Sequence, residues 1–224
     1  MAAKPAKAKS SRQSRRVKAT RQKLLDAARS VFAEKGLDLT RIDEITERAD
    51  VGKGTFYYHF GSKDQLIRAL IRRMLAELVE TIDERCSGIG ELRGLLDALI
   101  GAHISFFSNR WEDFVLYFQG RSDLTLEQGY AGIETPFLNY LERVEELLAS
   151  VIKHRLPPTV LRRIACAVAG FVSGYYSFVA IASQEEDVDA TFRSLRGAMV
   201  VALARFIQEA VPSPGSPTPA ENTT

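Results

Sequence analysis

The sequence predicts an all-α protein of about nine helices, with an N-terminal three-helix unit of helix-turn-helix proportions ahead of a larger helical body. Two observations carry that expectation. No strand-like alternation persists along the 224 residues, whereas apolar residues recur at i, i+3, i+4 and i+7. Breakers then fall between those runs, at Gly36, Gly52, Gly88, Gly90, Pro157-Pro158 and Pro212.

Each element has its own justification. A first helix runs from about Thr20 to Lys35, with Leu24, Leu25, Ala28, Val31 and Phe32 on one face. Gly36 closes it, because glycine takes the positive φ of a helix C-cap cheaply. Thr40 reads as the N-cap of a second helix, with Asp43 in the capping-box position and Ile42, Ile45 and Ala49 buried. Asp50-Val51-Gly52 turns the chain into a short third helix, Lys53 to Phe60, with Phe56 and Phe60 inward. Ser62 and Gln65 form an S-x-x-Q start for a long fourth helix reaching about Arg85. A fifth helix spans about Glu91 to Ser108 and a sixth Arg110 to Gln119, followed by a loop over Gly120 to Asp123. Helical pattern resumes near Leu124, with Thr135-Pro136 a kink or a fresh start, and runs to about His154. Pro157-Pro158 opens a helix to Ser183 that is uncharged from Ile164 onward. The acidic cluster Glu185, Glu186, Asp187 and Asp189 suits the N-terminus of a last helix. The resulting division is a basic disordered arm over 1–18, a three-helix domain over 19–65, a helical domain over 66–211 and a disordered tail over 212–224.

Charge is distributed unevenly. Residues 1–25 carry nine basic side chains and no acid, so the remainder carries −7 against a net +2. A basic end on an acidic body points to a polyanion partner at one end. The bland alternative for 1–18 is a solubilising tail. No apolar stretch follows the basic run, so it is not the start of a signal peptide. Ile164 to Gln184 holds no charge, yet Gly170, Ser173, Gly174, Tyr175, Tyr176, Ser177 and Ser183 make it a buried protein helix rather than a membrane span. Two cysteines, Cys86 and Cys166, cannot build a disulfide framework or a four-cysteine zinc site. They read as small buried hydrophobes in a reducing, cytoplasmic compartment. No H-E-x-x-H or G-x-S-x-G occurs, Gly52-Lys53-Gly54-Thr55 lacks the frame of a phosphate loop, and no cofactor is implied. The expectation is therefore not an enzyme.

The third helix and its approach carry the chemistry. Thr, Tyr and His side chains donate to phosphate oxygens, and a glycine lets another surface come close to the backbone. The stretch ARSVFAEKGLDLTRIDEITERADVGKGTFYYHFGSKDQL, within residues 20–67, resembles the DNA-binding domain of TetR-family transcription regulators. The long basic arm and Asp50 depart from that pattern. The resemblance implies an all-α bacterial homodimer, a repressor acting on double-stranded operator DNA and released by a small-molecule effector bound in a divergent second domain. It also implies that the last two long helices dimerise. Carried over, Lys53, Gly54 and Tyr57 look like base readers, and Thr40, Thr55, Tyr58, His59 and Lys63 look like phosphate clamps. Arg41 fits either role. The alternative is a small-molecule-binding or catalytic helical protein whose DNA binding is incidental.

In the second domain His103 sits in register with an apolar stripe, either satisfied by a core neighbour or meeting a ligand. Phe107, Trp111, Phe114, Tyr117 and Phe118 lie near it in sequence, and the resemblance places an effector among these helices. The absence of a cationic cluster there favours an apolar or aromatic effector. Gly170-x-x-x-Gly174 offers a flat groove for a second helix, and Phe192 and Met199 a facing apolar surface. Together they form the expected dimer interface, with packing inside one subunit as the alternative.

Overall fold

The computed structural model describes residues 6–108, 110–123, 134–152, 156–182 and 188–210. Among the described residues there are nine α-helices and no strand: α1 (Ala6–Lys35), α2 (Ile42–Arg48), α3 (Lys53–Phe60), α4 (Lys63–Cys86), α5 (Leu92–Phe107), α6 (Trp111–Asp123), α7 (Glu134–Val151), α8 (Pro158–Ala182) and α9 (Val188–Ala210). They fall into two compact units, Met1–Glu77 with Asn109–Phe137, and Leu78–Ser108 with Leu138–Thr224.

In the first unit Leu24, Ala28, Val31 and Phe32 of α1 are buried with Ile45, Phe56, Leu66 and Ile67. The first half of α4 is tied in by Arg73, whose guanidinium donates to the Gln22 amide oxygen at 2.7 Å. α6 packs along α1. Arg29 pairs with Asp113 at 3.3 Å, and the Leu37 N–H donates to Gln119 Oε1 at 3.2 Å. Burial pushes the Asp113 carboxyl above its usual range, against the pull of Arg29 and Arg110. The expected domain boundary at residue 65 therefore falls inside this unit, which recruits α6 from further along the chain.

In the second unit α5 packs against α9 and α8, and α8 against α9. Arg196 of α9 grips Asp97 of α5, with Nη2 2.6 Å from Oδ2 and Nε 2.6 Å from Oδ1. Its guanidinium lies over Gly101, where an added Cβ would sit 2.7 Å from Nη2. Glu91, not anticipated as a cap, takes the N-terminus of α5 by accepting from the Gly94 and Arg93 N–H groups.

Several expected boundaries move. α1 begins at Ala6, so the disordered arm expected over 1–18 is helical from there onward. Pro5 precedes it, and the following Ala, Lys, Arg and Gln are strong helix formers uninterrupted by glycine or proline. α6 continues through Gly120 to Asp123, where a loop was expected. α7 is described from Glu134, with Pro136 in its first turn, where a missing N–H costs no helical bond. Cys86 is buried, which pushes its thiol up to about 11, but Cys166 is exposed on α8 and not the buried hydrophobe expected. The expectations for 124–133, 153–155, 183–187 and 211–224 lie outside the described residues. No helix among the described residues is long and apolar enough to cross a membrane.

Candidate nucleic-acid interface

The helix-turn-helix is assembled by local chemistry. Gly36, at φ 82°, ends α1 by donating to the Phe32 carbonyl at 2.8 Å. Its own carbonyl accepts from the Thr40 hydroxyl at 2.7 Å. Thr40 is buried, so it is neither the N-cap of α2 nor an exposed phosphate clamp, and both expectations are corrected. The N-cap is Arg41, whose N–H donates to Glu44 Oε2 at 2.9 Å. Glu44, rather than the shorter Asp43, reaches back to close the turn.

Between α2 and α3 the Val51 N–H donates to Thr46 O at 3.0 Å and the Asp50 N–H to Glu47 O at 3.1 Å. That pair of bonds is a Schellman motif, which needs a left-handed residue at its centre. Asp50 takes φ 52°, a conformation aspartate tolerates better than most side chains. The departure from the family pattern at this position thus has a conformational fit. Arg48 donates to Ser30 Oγ at 2.9 Å and Glu34 Oε2 at 2.8 Å, and Lys35 pairs with Glu44, fastening α2 to α1.

α3 starts at extended Gly52 and stops at Gly61, φ 72°, whose N–H donates to Tyr57 O at 3.0 Å. Phe56 and Phe60 are buried with ring centroids 6.0 Å apart, and the Arg21 guanidinium lies 4.8 Å from the Phe60 ring centre. The opposite face carries Lys53, Gly54, Tyr57 and Tyr58, all exposed, with Thr55 and His59 half-buried. Tyr58 is 76% exposed, far beyond what an amphipathic ring seeks when it has internal packing. A Cβ added at Gly54 would meet no atom of the protein within 4 Å.

The basic groups divide. Lys53 Nζ rests 2.6 Å from Asp43 Oδ1, and Arg41 Nη2 3.6 Å from Asp43 Oδ2, both at the exposed edge of α2. Lys63 behaves differently. Its ammonium donates to three carbonyls, of Leu37 at 2.8 Å, Asp38 at 3.1 Å and Thr40 at 3.0 Å. An ammonium has three donors, so Lys63 is an internal clamp on the α1–α2 loop and not a phosphate ligand as it stands. Nothing in sequence flags this, because the acceptors are backbone groups more than twenty residues away.

The expected effector residues are not brought together in one unit. His103 and Phe107 lie in the second; Trp111, Phe114, Tyr117 and Phe118, on α6, lie in the first. His103 is buried, with Nδ1 2.8 Å from Leu99 O and Nε2 2.7 Å from the Tyr140 hydroxyl. The carbonyl can only accept, so Nδ1 carries the proton and Nε2 accepts from Tyr140. Burial pushes this imidazole down to about 4. Both ring nitrogens are engaged within the protein, which is the core-neighbour alternative for this residue. Phe107 packs against Phe106 and Tyr176 at 5.1 and 5.9 Å. Tyr117 packs against Phe137 at 5.6 Å and Phe114 against Phe118 at 6.3 Å, with Phe118 exposed. The Trp111 side chain lies outside the described residues.

On α8 a Cβ added at Gly170 or Gly174 would meet no atom within 4 Å. Phe171 and Phe178 flank them, 41% and 73% exposed. On α9 Met199 is buried and belongs to the core of its own unit, correcting its assignment to an interface; among the described residues Leu195, Val201 and Phe206 are the exposed large apolar side chains. The Phe192 side chain lies outside the described residues. Phe171 and Phe178, three residues before and four after Gly174, extend the face that Gly170 and Gly174 mark in the sequence.

Comparison with known proteins bears on the same segment. The family model described as bacterial regulatory proteins, tetR family, matches residues 24–70. An uncharacterized HTH-type transcriptional regulator, YvdT, of Bacillus subtilis (strain 168) is 32% identical over 124 residues, covering 55% of this chain and 63% of that protein. The HTH-type transcriptional repressor KstR2 of Rhodococcus jostii (strain RHA1) is 34% identical over 80 residues, 36% of this chain and 39% of the repressor. The chain thus matches less than two thirds of the length of either relative. Among solved structures, the fatty acid degradation regulator FadR from Bacillus halodurans superposes with a TM-score of 0.68 at 18% identity, covering 80% of this chain and 97% of that one. The transcriptional regulator FadR from Bacillus subtilis, in complex with stearoyl-CoA, superposes with a TM-score of 0.65 at 22% identity, covering 81% and 96%. At such identities these two establish a shared fold.

Proposed function

We propose that the chain is a TetR-type regulator, on the match of residues 24–70 to that family's model, and that it acts as a dimeric, sequence-specific DNA-binding transcriptional repressor released by a small apolar or aromatic ligand. The observation that carries the reading is the outer face of α3. Gly54 has neither a positive φ nor a neighbour that would exclude a side chain. A glycine inside a helix costs stability relative to alanine, so its use lies in the close approach of something outside the chain. A helix laid into the major groove of B-DNA is such an approach.

On this reading Lys53, Gly54 and Tyr57 meet base edges, while Arg41, Thr55, Tyr58 and His59 hold phosphates. Lys63 and Thr40 act one step back, by fixing the loop that aims α2. The exposed Phe171–Gly174–Phe178 face of α8, with Leu195, Val201 and Phe206 of α9, supplies the four-helix contact between two copies. The effector lies in the second unit. Its apolar character is supported by that unit's aliphatic and aromatic interior, and by the apolar stearoyl chain of the stearoyl-CoA held by the Bacillus subtilis structural relative. α4 is a single helix from Lys63 to Cys86 and carries the effector's signal to the reading head.

An electrophoretic shift with the DNA flanking the protein's own gene tests this. A specific complex is expected at moderate salt, and Tyr57→Ala lowers the preference over unrelated DNA by about 1–3 kcal/mol. Complexes seen only at low salt, with every sequence alike, would show that DNA binding is incidental.

A further inference from the structure

We propose that the N-terminal extension of α1 is a second DNA-contact surface, gripping backbone phosphates of the duplex that flanks the half-site read by α3. The inference rests on the DNA-binding reading above and adds to it a surface outside the helix-turn-helix.

α1 starts at Ala6, yet among the described residues its first core side chains are Leu24 and Leu25. Every described side chain from Gln13 to Ala19 is exposed. The part of the helix ahead of Thr20 is about 20 Å long at 1.5 Å per residue, and from Gln13 on it buries nothing. It holds Lys7, Lys9, Arg12, Arg15, Arg16 and Lys18, and the first acid in the chain is Asp26. Lys9–Arg12, Arg12–Arg16 and Arg15–Lys18 are like-charge pairs at i, i+3 or i, i+4, which destabilise a helix. A helical stretch such as Gln13–Ala19, exposed and rich in like charges, is marginal in water. A polyanion removes that repulsion.

Position selects the polyanion. Lys9, Arg12, Arg16 and Lys23 share one register of the helix, offset from the buried face of Leu24, Ala28 and Val31. Lys23 lines a shallow open groove with Asp26, Ala27, Ser30, Arg48, Ala49 and Asp50, so this stripe passes the helix-turn-helix turn. Arg21, on the other side of α1, seats the ring of Phe60 at the end of α3. The extension thus leaves the reading head beside its recognition helix. A duplex lying against α3 presents a phosphate charge every 1.7 Å of axis, and about 20 Å of helix matches about six base pairs. A membrane surface fits less well, because Val17 is the one large apolar residue from Ala6 to Ala19 and no amphipathic face exists.

The test uses the full chain and a variant with Arg12, Arg15, Arg16 and Lys18 each changed to Gln, which removes charge and keeps helix propensity. The probes are duplexes carrying half-sites selected from a random pool by the unaltered protein, ending either two or eight base pairs beyond the half-sites. The unaltered protein is expected to bind the longer duplex at least about tenfold tighter, with a steeper salt dependence. The variant is expected to bind both duplexes alike, with the short-duplex affinity and the melting temperature of the parent. Equal binding of both duplexes by the unaltered protein overturns the proposal, as does a variant that keeps the flank advantage. A variant that loses affinity equally on both places the arm at the half-site itself and also overturns it. Loss of binding to phosphatidylserine vesicles by the variant, with the flank advantage intact, would assign the arm to membranes instead. If no half-site emerges from the pool, the DNA-binding reading fails and takes this proposal with it.

Discussion

Replacing Gly54 by Ala moves stability and binding in opposite directions. The added Cβ meets no protein atom within 4 Å, so no cost of crowding arises inside the molecule. Glycine in a helix interior is about 0.8–1.0 kcal/mol less favourable than alanine. Gly54 is the second residue of α3, near the helix end, so the gain is at most about 1 kcal/mol. In a chain of this size that raises Tm by up to about 2–4 °C. Against DNA the same methyl occupies the space that lets the start of α3 approach a base edge. Hydrogen bonds from Lys53 and Tyr57 cannot lengthen beyond about 3.5 Å and survive, so at least one base contact is lost. That is about 1–3 kcal/mol of discrimination, roughly a 5- to 150-fold loss of specific affinity. Thermal unfolding by circular dichroism and anisotropy titrations on a specific duplex read the two halves. A destabilised variant would mean that Gly54 answers an internal need, and unchanged specific affinity would remove it from the interface.

Other expectations follow from the same geometry. Lys63→Ala frees three carbonyls that the ammonium now satisfies. It should lower Tm by several degrees, for a cost of about 1–3 kcal/mol, while the salt slope of DNA binding changes little. A slope reduced by about one at unchanged Tm would restore Lys63 as a phosphate ligand. Gly174→Leu should give a monomer in sedimentation with its helical signal intact, because no described atom of another element lies within 4 Å of an added Cβ; loss of helicity would place Gly174 inside the subunit. His103 titrates at about 4 when folded against 6.5 unperturbed. The folded state therefore holds fewer protons than the unfolded one between those values. Its stabilisation is complete above pH 6.5 and fades by about 3 kcal/mol as pH falls toward 4. Unfolding midpoints of the parent and His103→Gln should converge over that window, and parallel curves would refute the assignment.

What could be read along the chain was local chemistry. Gly36 and Ser62 mark helix ends because their requirements, a positive φ and a short side-chain acceptor, are met within four residues. The inward set of Phe56 and Phe60 followed from spacing alone. What could not be read depended on distance or on faces. Arg29 and Asp113 are 84 residues apart, so nothing near either one announces that α6 packs on α1. Thr40 looked like an N-cap by residue type, but the orphan Gly36 carbonyl was nearer and took its hydroxyl. α9 is apolar around most of its circumference, so pattern did not distinguish buried Met199 from exposed Val201 two residues on. The basic arm over 1–18 was expected to be disordered, whereas from Ala6 the stretch, free of glycine and proline, continues α1.

The central claim, that the outer face of α3 reads DNA sequence as one of a pair, is tested most directly by selecting duplexes from a random pool with the full-length protein and sequencing the survivors. The account predicts a two-fold symmetric consensus whose half-site positions lose definition when Tyr57→Ala repeats the selection. A pool that stays random at moderate salt, or a consensus that Tyr57→Ala leaves unchanged, would contradict it.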